Sequence, residues 1–474
     1  MFDNIHEECG VFGIFEAKPT NVAEITYLAL YALQHRGQES CGIAVCDDGV
    51  FRHHKGLGLV GDVFTKESLQ SLGEANMAVG HVRYSTTGVN NINNVQPLVV
   101  RHIKGNLALA HNGNLTNASE LRSHFELNGA IFHSTSDTED IAYSIVSERL
   151  QSRSIENAVE MAMYSLKGAY SCCLMSPSKL IAFRDPNGFR PLCLGITKTG
   201  GYVVASESCA IDAVGAMFIR DILPGEILVI SEEGLKSIKT HCSKKSSLCV
   251  FEFIYFARPD SVIEGSSVHA ARQKAGEILA KEAPIDADVV IGVPDSGIDA
   301  ALGYSKESKI PYGIGFIKNK YIGRSFIKPS QVERENAVKI KLNVIKETVE
   351  GKKVILIDDS IVRGTTSARI IKLLKDNGAK EVHVRISSPA FKFPCYFGTD
   401  IDSKENLIAC KYKTTEEIAK VIGADSLAYL SIDGAHKLAY KSKCGFCDGC
   451  FSGKYPVEVP EHEEKNIFEQ KINR

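Results

Sequence analysis

The 474-residue sequence predicts two domains of different class: an α+β sandwich, followed by an α/β domain built on a parallel sheet. Up to about residue 240, short β-type runs are separated by turn residues, and the helical segments are grouped apart from them. After residue 248, strand-like and helix-like segments alternate, which is typical of βαβ units. The polar stretch 239–247, with three lysines and three serines, separates the two patterns. We therefore expect domains at 9–240 and 248–474.

The individual elements are predicted from local periodicity. In the first domain, the strand-like runs are Cys9–Phe15, Gly42–Cys46, Leu107–Ala110, Tyr202–Ala205 and Glu226–Ile230. Helical stretches cover Val22–Leu33 and Glu139–Arg149. In the second domain, the helix-like segments are Val268–Lys281 and Thr366–Asn377. They alternate with the strand-like segments Ala287–Val293, Lys353–Ile357 and Glu381–Ile386.

The composition argues against several classes of protein. The 55 Lys and Arg nearly balance the 57 Asp and Glu, so we expect no general binding to nucleic acid. The sequence has no run of about 18 apolar residues, and its acidic start lacks the pattern of a secretory signal. We therefore expect no membrane span and a cytoplasmic location. The 14 cysteines are too sparse for a disulfide scaffold and are expected to be mostly reduced thiols.

The sharpest motif lies at 354–367, where an apolar strand runs into two carboxylates, a glycine and three hydroxyl residues. The positions of interest after the apolar strand, which also include one arginine, are Asp358, Asp359, Arg363, Gly364, Thr365, Thr366 and Ser367. Glycine lets backbone amides approach a phosphate, and the hydroxyls add donors at a helix N-terminus. Adjacent acids at a strand end can hold sugar hydroxyls or Mg²⁺. An ordinary capped helix is the alternative, but the complete order favours a monophosphate site.

This order of residues resembles the phosphoribosyl pyrophosphate motif of type I phosphoribosyltransferases. The resemblance implies that Asp358 and Asp359 hold the ribose hydroxyls and that the loop 363–367 binds the 5′-phosphate. It also implies that the loop Val293–Gly297 binds pyrophosphate, and that Mg²⁺ lies at Ser296, Asp358 and Asp359.

A basic segment lies between the two loops. Residues 318–341 carry seven basic side chains and only two acidic ones, Glu333 and Glu335. The basic residues are Lys318, Lys320, Arg324, Lys328, Arg334, Lys339 and Lys341. Most charge runs are solvated surface. Beside a pyrophosphate site, however, we favour a lid that neutralises charge and excludes water, with Lys318 and Arg324 as substrate contacts.

Cys9 starts a strand and is followed by four polar motifs. They are Leu33–Gln38, Gly80–Thr86, Ala110–Asn114 and Ser134–Thr138. A lone cysteine is more often an inert core residue. In this order, however, the segments resemble the class II glutamine amidotransferase domain over about residues 9–230. The resemblance implies an N-terminal-nucleophile (Ntn) hydrolase αββα sandwich in which Cys9 hydrolyses glutamine.

The same resemblance implies roles for individual side chains. Arg83 would bind the glutamine α-carboxylate and Asp137 its α-ammonium group. Asn112 and the Gly113 amide would form the oxyanion hole. Arg36 and His81 belong to the same motifs, and we assign them no direct role.

Residues 1–8 are predicted to be a propeptide. A free α-amino group has a pKa of about 7.7–8.0 and can act as the base for the thiol of the same residue. Cys9 has no such amine while it is internal, so the chemistry requires cleavage before Cys9.

Together the halves resemble the amidophosphoribosyltransferase family over residues 9–456. The resemblance implies that glutamine, phosphoribosyl pyrophosphate and water give 5-phosphoribosylamine, glutamate and pyrophosphate, with ammonia passing between the sites. This is the first committed step of purine synthesis. The resemblance also implies a homotetramer and feedback inhibition by purine nucleotides.

A second group of cysteines, Cys444, Cys447 and Cys450, has the spacing of metal ligands. The spacing alone leaves zinc, an iron–sulfur cluster and no ligand open. One subgroup of the family combines a propeptide with a [4Fe–4S] cluster, and the sequence resembles that subgroup. The implied ligands are Cys249, Cys395, Cys447 and Cys450, which leaves Cys444 without a role.

Two other functions stay open from the sequence. The chain could be a non-catalytic module that senses phosphoribosyl pyrophosphate or nucleotides, although the complete glutaminase motif argues against this. It could also be a glutaminase with a different ammonia acceptor, which the 358–367 motif disfavours.

Overall fold

The structure, a computed structural model, describes residues 9–84, 91–319, 342–401, 403–442 and 444–460. The first half is dominated by antiparallel strands. They are β1 (Gly10–Thr20), β2 (Ser40–Asp47), β3 (Val50–Leu57), β4 (Ala75–Arg83), β5 (Leu98–His102), β6 (Gly105–Leu115), β7 (Gly168–Met175), β8 (Leu180–Arg184), β9 (Cys193–Ile196), β10 (Tyr202–Ala205), β11 (Met217–Asp221), β12 (Ile227–Ser231) and β13 (Gly234–Ile238).

These strands form two stacked sheets. Within the described residues, their orders are β11-β9-β10-β1-β4-β2-β3 and β13-β12-β8-β7-β6-β5. Alternate apolar residues of both sheets, such as Val11, Met77 and Cys173, meet in one buried core between them.

Helices cover the outer faces of the two sheets. They are Val22–Ala32, Val60–Val63, Lys66–Leu72, Ala118–Leu127, Asp137–Gln151, Ile155–Ala162 and Ser208–Ala213, with a 3₁₀ turn at Ile92–Asn94. The first and last of these helices pack on the sheet that contains β1, and Asp137–Gln151 and Ile155–Ala162 pack on the sheet that contains β6. The resulting αββα layers confirm the predicted sandwich.

The second half contains a parallel sheet and several short strand pairs. Its strands are β14 (Leu248–Cys249), β15 (Val262–Ile263), β16 (Ser266–Ser267), β17 (Val289–Gly292), β18 (Phe316–Lys318), β19 (Leu342–Val344), β20 (Lys353–Asp358), β21 (Glu381–Ile386), β22 (Ser426–Tyr429) and β23 (Phe446–Cys447). The order β17-β20-β21-β22 is parallel throughout, which confirms the predicted α/β class. The middle of β20 is apolar and fully buried because helices cover both faces of the sheet.

The helices of the second half connect and cover these strands. They are Val268–Glu282, Ile298–Ser308, Lys346–Val349, Thr365–Asp376, Ile408–Lys411, Thr415–Ile422, Ile432–Ala435 and Gly449–Ser452. A π-helical turn spans Glu252–Phe256, and a 3₁₀ turn spans Lys404–Asn406. Among the residues that the structure describes, no helix combines the length and the apolar character needed to cross a membrane.

Within the second half, the strand β23, near the C-terminus, pairs in parallel with β14, so Cys447 lies opposite Cys249. Contacts of side chains with backbone join this half to the first. Arg190 of the first half donates two hydrogen bonds to the carbonyl oxygen of Phe397, at 3.1 and 2.7 Å. The loop that contains Phe397 is thereby fixed against the sandwich.

Candidate functional site

Cys9 lies at the buried edge of the sandwich, directly before β1. Its Sγ donates a hydrogen bond to the carbonyl oxygen of Tyr84 at 3.4 Å, and its own carbonyl accepts one from Arg36 Nε at 3.1 Å. In the antiparallel pairing of β1 with β4, Gly10 lies opposite Val82. Cys9 and the buried Arg83 are therefore at the same end of adjacent strands.

The predicted oxyanion residues lie on β6. Asn112 is 1% exposed, and its side-chain Nδ2 has no hydrogen-bond partner among the described residues. Buried polar donors are nearly always paired, so this amide is poised for a group that the described part of the chain does not supply. Gly113 has a φ of +138°, and a Cβ there would lie 2.2 Å from the Ala169 carbonyl oxygen. Only glycine fits this position.

Asp137 begins the helix Asp137–Gln151, and its Oδ2 accepts a hydrogen bond from the Leu115 amide at 2.9 Å. Burial alone would raise the pKa of Asp137, but His111, 3.5 Å away, together with the Leu115 amide and Arg122, outweighs burial and lowers that pKa. The carboxylate is therefore ionised and suited to a substrate ammonium group. Burial lowers the pKa of His81 to about 3, so His81 is neutral. A hydrogen bond of 3.0 Å joins its Nε2 to the carbonyl oxygen of His111.

In the second half, the two predicted loops meet at the carboxyl end of β20. The loop at 293–297 lies against this strand: Val293 donates to the Ile357 carbonyl at 2.9 Å, and a Cβ on Gly297 would come within 2.3 Å of that oxygen. Asp358 follows Ile357 directly. Burial and the charge of Asp359 raise the pKa of Asp358 well above its ordinary value. A bound cation or sugar hydroxyls would compensate two such neighbouring acids.

The loop predicted to bind the 5′-phosphate leads into a helix. Gly364 adopts a φ of +86° immediately before the helix Thr365–Asp376, and a Cβ there would lie 2.5 Å from Ile408 Cδ1. The hydroxyl residues 365–367 therefore occupy the first turn of that helix, where backbone N–H groups lack helical partners.

The basic segment is only partly described. Lys318 ends β18 and forms an ion pair with Asp295 of the loop 293–297. This pair places Lys318 beside the loop predicted to bind pyrophosphate. Arg324 and the other basic residues at 320–341 lie outside the described residues, as does the predicted propeptide 1–8.

Four cysteines line one cavity between the halves, together with Arg190 and several aromatic rings. They are Cys249, Cys395, Cys447 and Cys450. Burial raises the pKa of Cys447 to about 12 and that of Cys450 well above its ordinary value, and neighbouring cysteines add to both effects. Cys444 lies elsewhere, with its Sγ 2.7 Å from the hydroxyl of Ser442. In the described part of the chain, no three His, Cys, Asp or Glu side chains are arranged around a position for a single metal ion.

Sequence reasoning missed one group of residues near Cys9. Glu207, Glu252 and Arg190 form a fully buried charge network with Arg36. The signal that could have identified Glu252 is a single acid within the apolar run 250–256.

Two family models match the chain in the same two regions. A glutamine amidotransferase domain matches residues 81–213, and a phosphoribosyl transferase domain matches residues 264–388. The fold and the two sites therefore define an enzyme of the class that joins a glutamine amidotransferase to a phosphoribosyltransferase.

Comparison with individual proteins is more specific. Amidophosphoribosyltransferases of Archaeoglobus fulgidus and Bacillus subtilis are 49% and 48% identical to the chain, over 96% of its length and 99% and 95% of theirs. The structure of the B. subtilis glutamine phosphoribosylpyrophosphate amidotransferase complexed with ADP and GMP matches with a TM-score of 0.89 and 47% identity. That match covers 96% of this chain and 98% of the other. The chain belongs to the amidophosphoribosyltransferase family, whose reaction is the first step of purine biosynthesis.

Proposed function

We propose that this enzyme converts glutamine, phosphoribosyl pyrophosphate and water into 5-phosphoribosylamine, glutamate and pyrophosphate, with Cys9 as the glutaminase nucleophile. The observation that carries the proposal is the buried amide of Asn112, unpartnered among the described residues, on β6, which faces β1 across the core of the sandwich. A buried donor that is held without an acceptor from the described residues is typical of an oxyanion hole. The proposal divides the chain into a propeptide at 1–8, a glutaminase domain at 9–240 and a phosphoribosyltransferase domain at 248–474.

In the glutaminase half, the chemistry follows from the side chains around Cys9. Removal of residues 1–8 gives Cys9 an α-amino group that takes the thiol proton as the sulfur attacks the glutamine amide carbon. Asn112 Nδ2 and the Gly113 amide stabilise the oxyanion, and ammonia leaves with the returned proton. Water then hydrolyses the thioester to glutamate. Arg83 and Asp137 hold the substrate α-carboxylate and α-ammonium groups.

In the other half, Asp358 and Asp359 hold the ribose hydroxyls, while the loop 363–367 binds the 5′-phosphate. Ammonia attacks the ribose C1 and displaces pyrophosphate with inversion. Lys318, which lies beside the loop 293–297, and Arg324 contact the substrate. Mg²⁺, when bound at Ser296, Asp358 and Asp359, would neutralise pyrophosphate charge and so assist its departure.

Ammonia has to cross from Cys9 to the ribose, and the halves touch close to the oxyanion hole. Asn114, one residue beyond Gly113, donates to the Tyr396 carbonyl at 3.2 Å. We therefore propose a closed path that starts at this contact, completed when the basic segment 318–341 closes over the substrate.

The cysteine cavity fits a [4Fe–4S] cluster. A four-iron cluster accepts four thiolates, and the four cysteines come from three chain segments around an apolar space. Such a cluster would convert neutral buried thiols into bound thiolates and cross-link the segments that carry them. Its role would be structural, since the reaction transfers no electrons.

Further properties extend the proposal. The B. subtilis relative was solved with ADP and GMP. We propose that purine nucleotides inhibit this enzyme, that it works as a homotetramer, and that it is cytoplasmic, where its cysteines stay reduced.

The decisive experiment compares Cys9→Ala with Cys410→Ala, which alters an exposed cysteine. Cys9→Ala should lose glutamine-dependent pyrophosphate release but keep the ammonia-dependent reaction, and Cys410→Ala should keep both. Intact mass should show a chain that begins at Cys9. Unchanged glutamine use by Cys9→Ala would refute the proposal, and binding of phosphoribosyl pyrophosphate without turnover would indicate a sensing module instead.

A further inference from the structure

A fully buried charge network lies between the nucleophile and the cysteine cavity. Arg36 is its centre: its Nε donates to the Cys9 carbonyl at 3.1 Å, while Nη1 and Nη2 donate to both carboxylate oxygens of Glu252 at 3.0 and 2.7 Å. Arg36 and Glu252 side chains are both 0% exposed. Because a buried bidentate pair is rigid, the position of Glu252 determines where Arg36 can hold the Cys9 carbonyl.

Glu252 belongs to the second half of the chain, not to the sandwich that carries Cys9. It lies three residues after Cys249, at the start of the π-helical turn Glu252–Phe256. Its Oε1 also accepts from Arg190 Nη1 at 3.4 Å, and Arg190 in turn binds the carbonyl of Phe397 and the hydroxyl of Thr399. The loop 395–399, which includes Cys395, is therefore connected to Cys9 through Arg190, Glu252 and Arg36.

Two carboxylates, Glu207 and Glu252, balance the positive charge of this network. Glu207 accepts from Arg36 Nη1 at 2.6 Å and is further held by His35 and the hydroxyl of Ser261. Two buried guanidinium groups, Arg36 and Arg190, thus face two buried carboxylates. Removing one carboxylate leaves uncompensated positive charge in an apolar setting, so Arg36 would have to move toward its remaining partner.

We infer that Glu252 is a positioning residue for the glutaminase reaction: it holds Arg36, and through Arg36 it orients the backbone of Cys9 from across the interface between the halves. The inference rests on the proposed role of Cys9 as nucleophile. Glu252 binds the terminal nitrogens of Arg36, whereas the Cys9 carbonyl binds Arg36 Nε, so the effect of Glu252 is on orientation and not on the chemical step itself. A displacement of about 1 Å at a nucleophile is enough for a loss of up to about 100-fold.

The test separates glutamine-dependent from ammonia-dependent synthesis in the same preparation. Glu252→Gln keeps the shape but removes the charge, and should lower kcat with glutamine by about 10- to 100-fold, with KM changed less than about threefold. Ammonia-dependent activity should stay within about twofold of wild type, because it does not use Cys9. The matched control is Glu264→Gln, which breaks another ion pair between the halves, Arg184–Glu264 at 2.7 Å. It should leave both activities unchanged.

Glu252→Asp provides a second variant that keeps the negative charge. Its shorter side chain cannot hold both guanidinium nitrogens as closely, so we expect a smaller fall in glutamine-dependent kcat, between about two- and tenfold. The inference is wrong if Glu252→Gln retains full glutamine-dependent kcat. It is also wrong if both activities fall together in the Gln and Asp variants, since that would show a general structural role. Failure of the proposed function is seen separately, as persistent glutamine use by Cys9→Ala.

Discussion

Gly398, in the second half of the chain, packs directly on Gly113, the predicted oxyanion glycine. A Cβ on Gly398 would lie 3.2 Å from the Gly113 carbonyl carbon and 3.3 Å from its Cα. Gly398 also has a φ of +108°, which side chains rarely adopt. The two halves of the chain are therefore in backbone contact at the proposed glutaminase site.

Gly398→Ala should impair this site more than the rest of the enzyme. The backbone strain should cost about 1–3 kcal/mol of unfolding free energy. The methyl group should also push on Gly113 and lower glutamine-dependent kcat, while ammonia-dependent activity persists. The control is Gly200→Ala, which has a φ of +88° but nothing within 4 Å of its Cβ. Equal loss of glutamine-dependent activity in both variants would show that strain alone is responsible.

Asn112→Ala should remove catalysis with little loss of stability. The unpartnered Nδ2 contributes no hydrogen bond to the fold among the described residues, so unfolding free energy should fall by less than about 1 kcal/mol. Glutamine-dependent kcat should fall by about 10²–10³-fold, as for other oxyanion donors. Asn106→Ala, earlier on β6, should affect neither property. A large change in the denaturation midpoint of Asn112→Ala would assign the amide to folding.

Gly364→Ala should weaken the phosphoribosyl site. A methyl group there would meet Ile408 Cδ1 at 2.5 Å on a backbone with a φ of +86°. We expect KM for phosphoribosyl pyrophosphate to rise at least about tenfold, because the loop 363–367 would move away from the 5′-phosphate that it is proposed to bind. Glutamine-dependent and ammonia-dependent rates should fall together, in contrast to the variants of the other site. An unchanged KM would place the 5′-phosphate elsewhere.

Asp185 should give the enzyme a pH-dependent stability. Burial raises the pKa of Asp185 to about 6, whereas an unfolded aspartate titrates near about 3.9. Between these pH values, the folded state therefore keeps a proton on Asp185 that the unfolded state has released. The resulting stabilisation is fully present below about pH 3.9 and is lost as the pH rises through about 6. Relative to Asp185→Asn, the wild type should lose up to about 3 kcal/mol of unfolding free energy between these values.

Denaturant midpoints at pH 5 and pH 7.5 measure the part of this loss that falls above pH 5, about 1.4 kcal/mol of unfolding free energy. Asp376→Asn, which alters an exposed side chain, serves as the control and should show little pH dependence relative to wild type. A wild-type advantage over Asp185→Asn that grows with pH would have the opposite sign and would contradict the raised pKa.

Comparison of Cys447→Ser with Cys444→Ser distinguishes a proposed ligand of the [4Fe–4S] cluster from a cysteine that is only close to it in sequence. Cys447 lines the cavity, whereas Cys444 contacts Ser442. Anaerobically purified wild type and Cys444→Ser should contain iron, acid-labile sulfide and visible charge-transfer absorbance. Cys447→Ser should lose most of the iron and unfold at lower denaturant. Iron-free wild-type protein, or equal iron in both variants, would exclude the proposed cluster ligands.

The sequence by itself determined the features that depend on short stretches of chain. The apolar run before Asp358 predicts a buried parallel strand, and the glycine and hydroxyls after it predict a helix start at a phosphate loop. The structure confirms the fold class, with β20 and the helix Thr365–Asp376 where these patterns place them. Such features are local because backbone periodicity and capping act within a few residues.

Only the tertiary structure decided which distant groups meet. Nothing local shows that Gly398 touches Gly113, that the Asn112 amide lacks a partner among the described residues, or that Glu252 holds Arg36. Spacing alone could not choose among Cys444, Cys447 and Cys450, whereas the cavity includes the last two and places them beside Cys249 and Cys395. The physical reason is that these contacts arise where the two domains pack, and packing depends on the shape and burial of whole surfaces and not on neighbours in sequence.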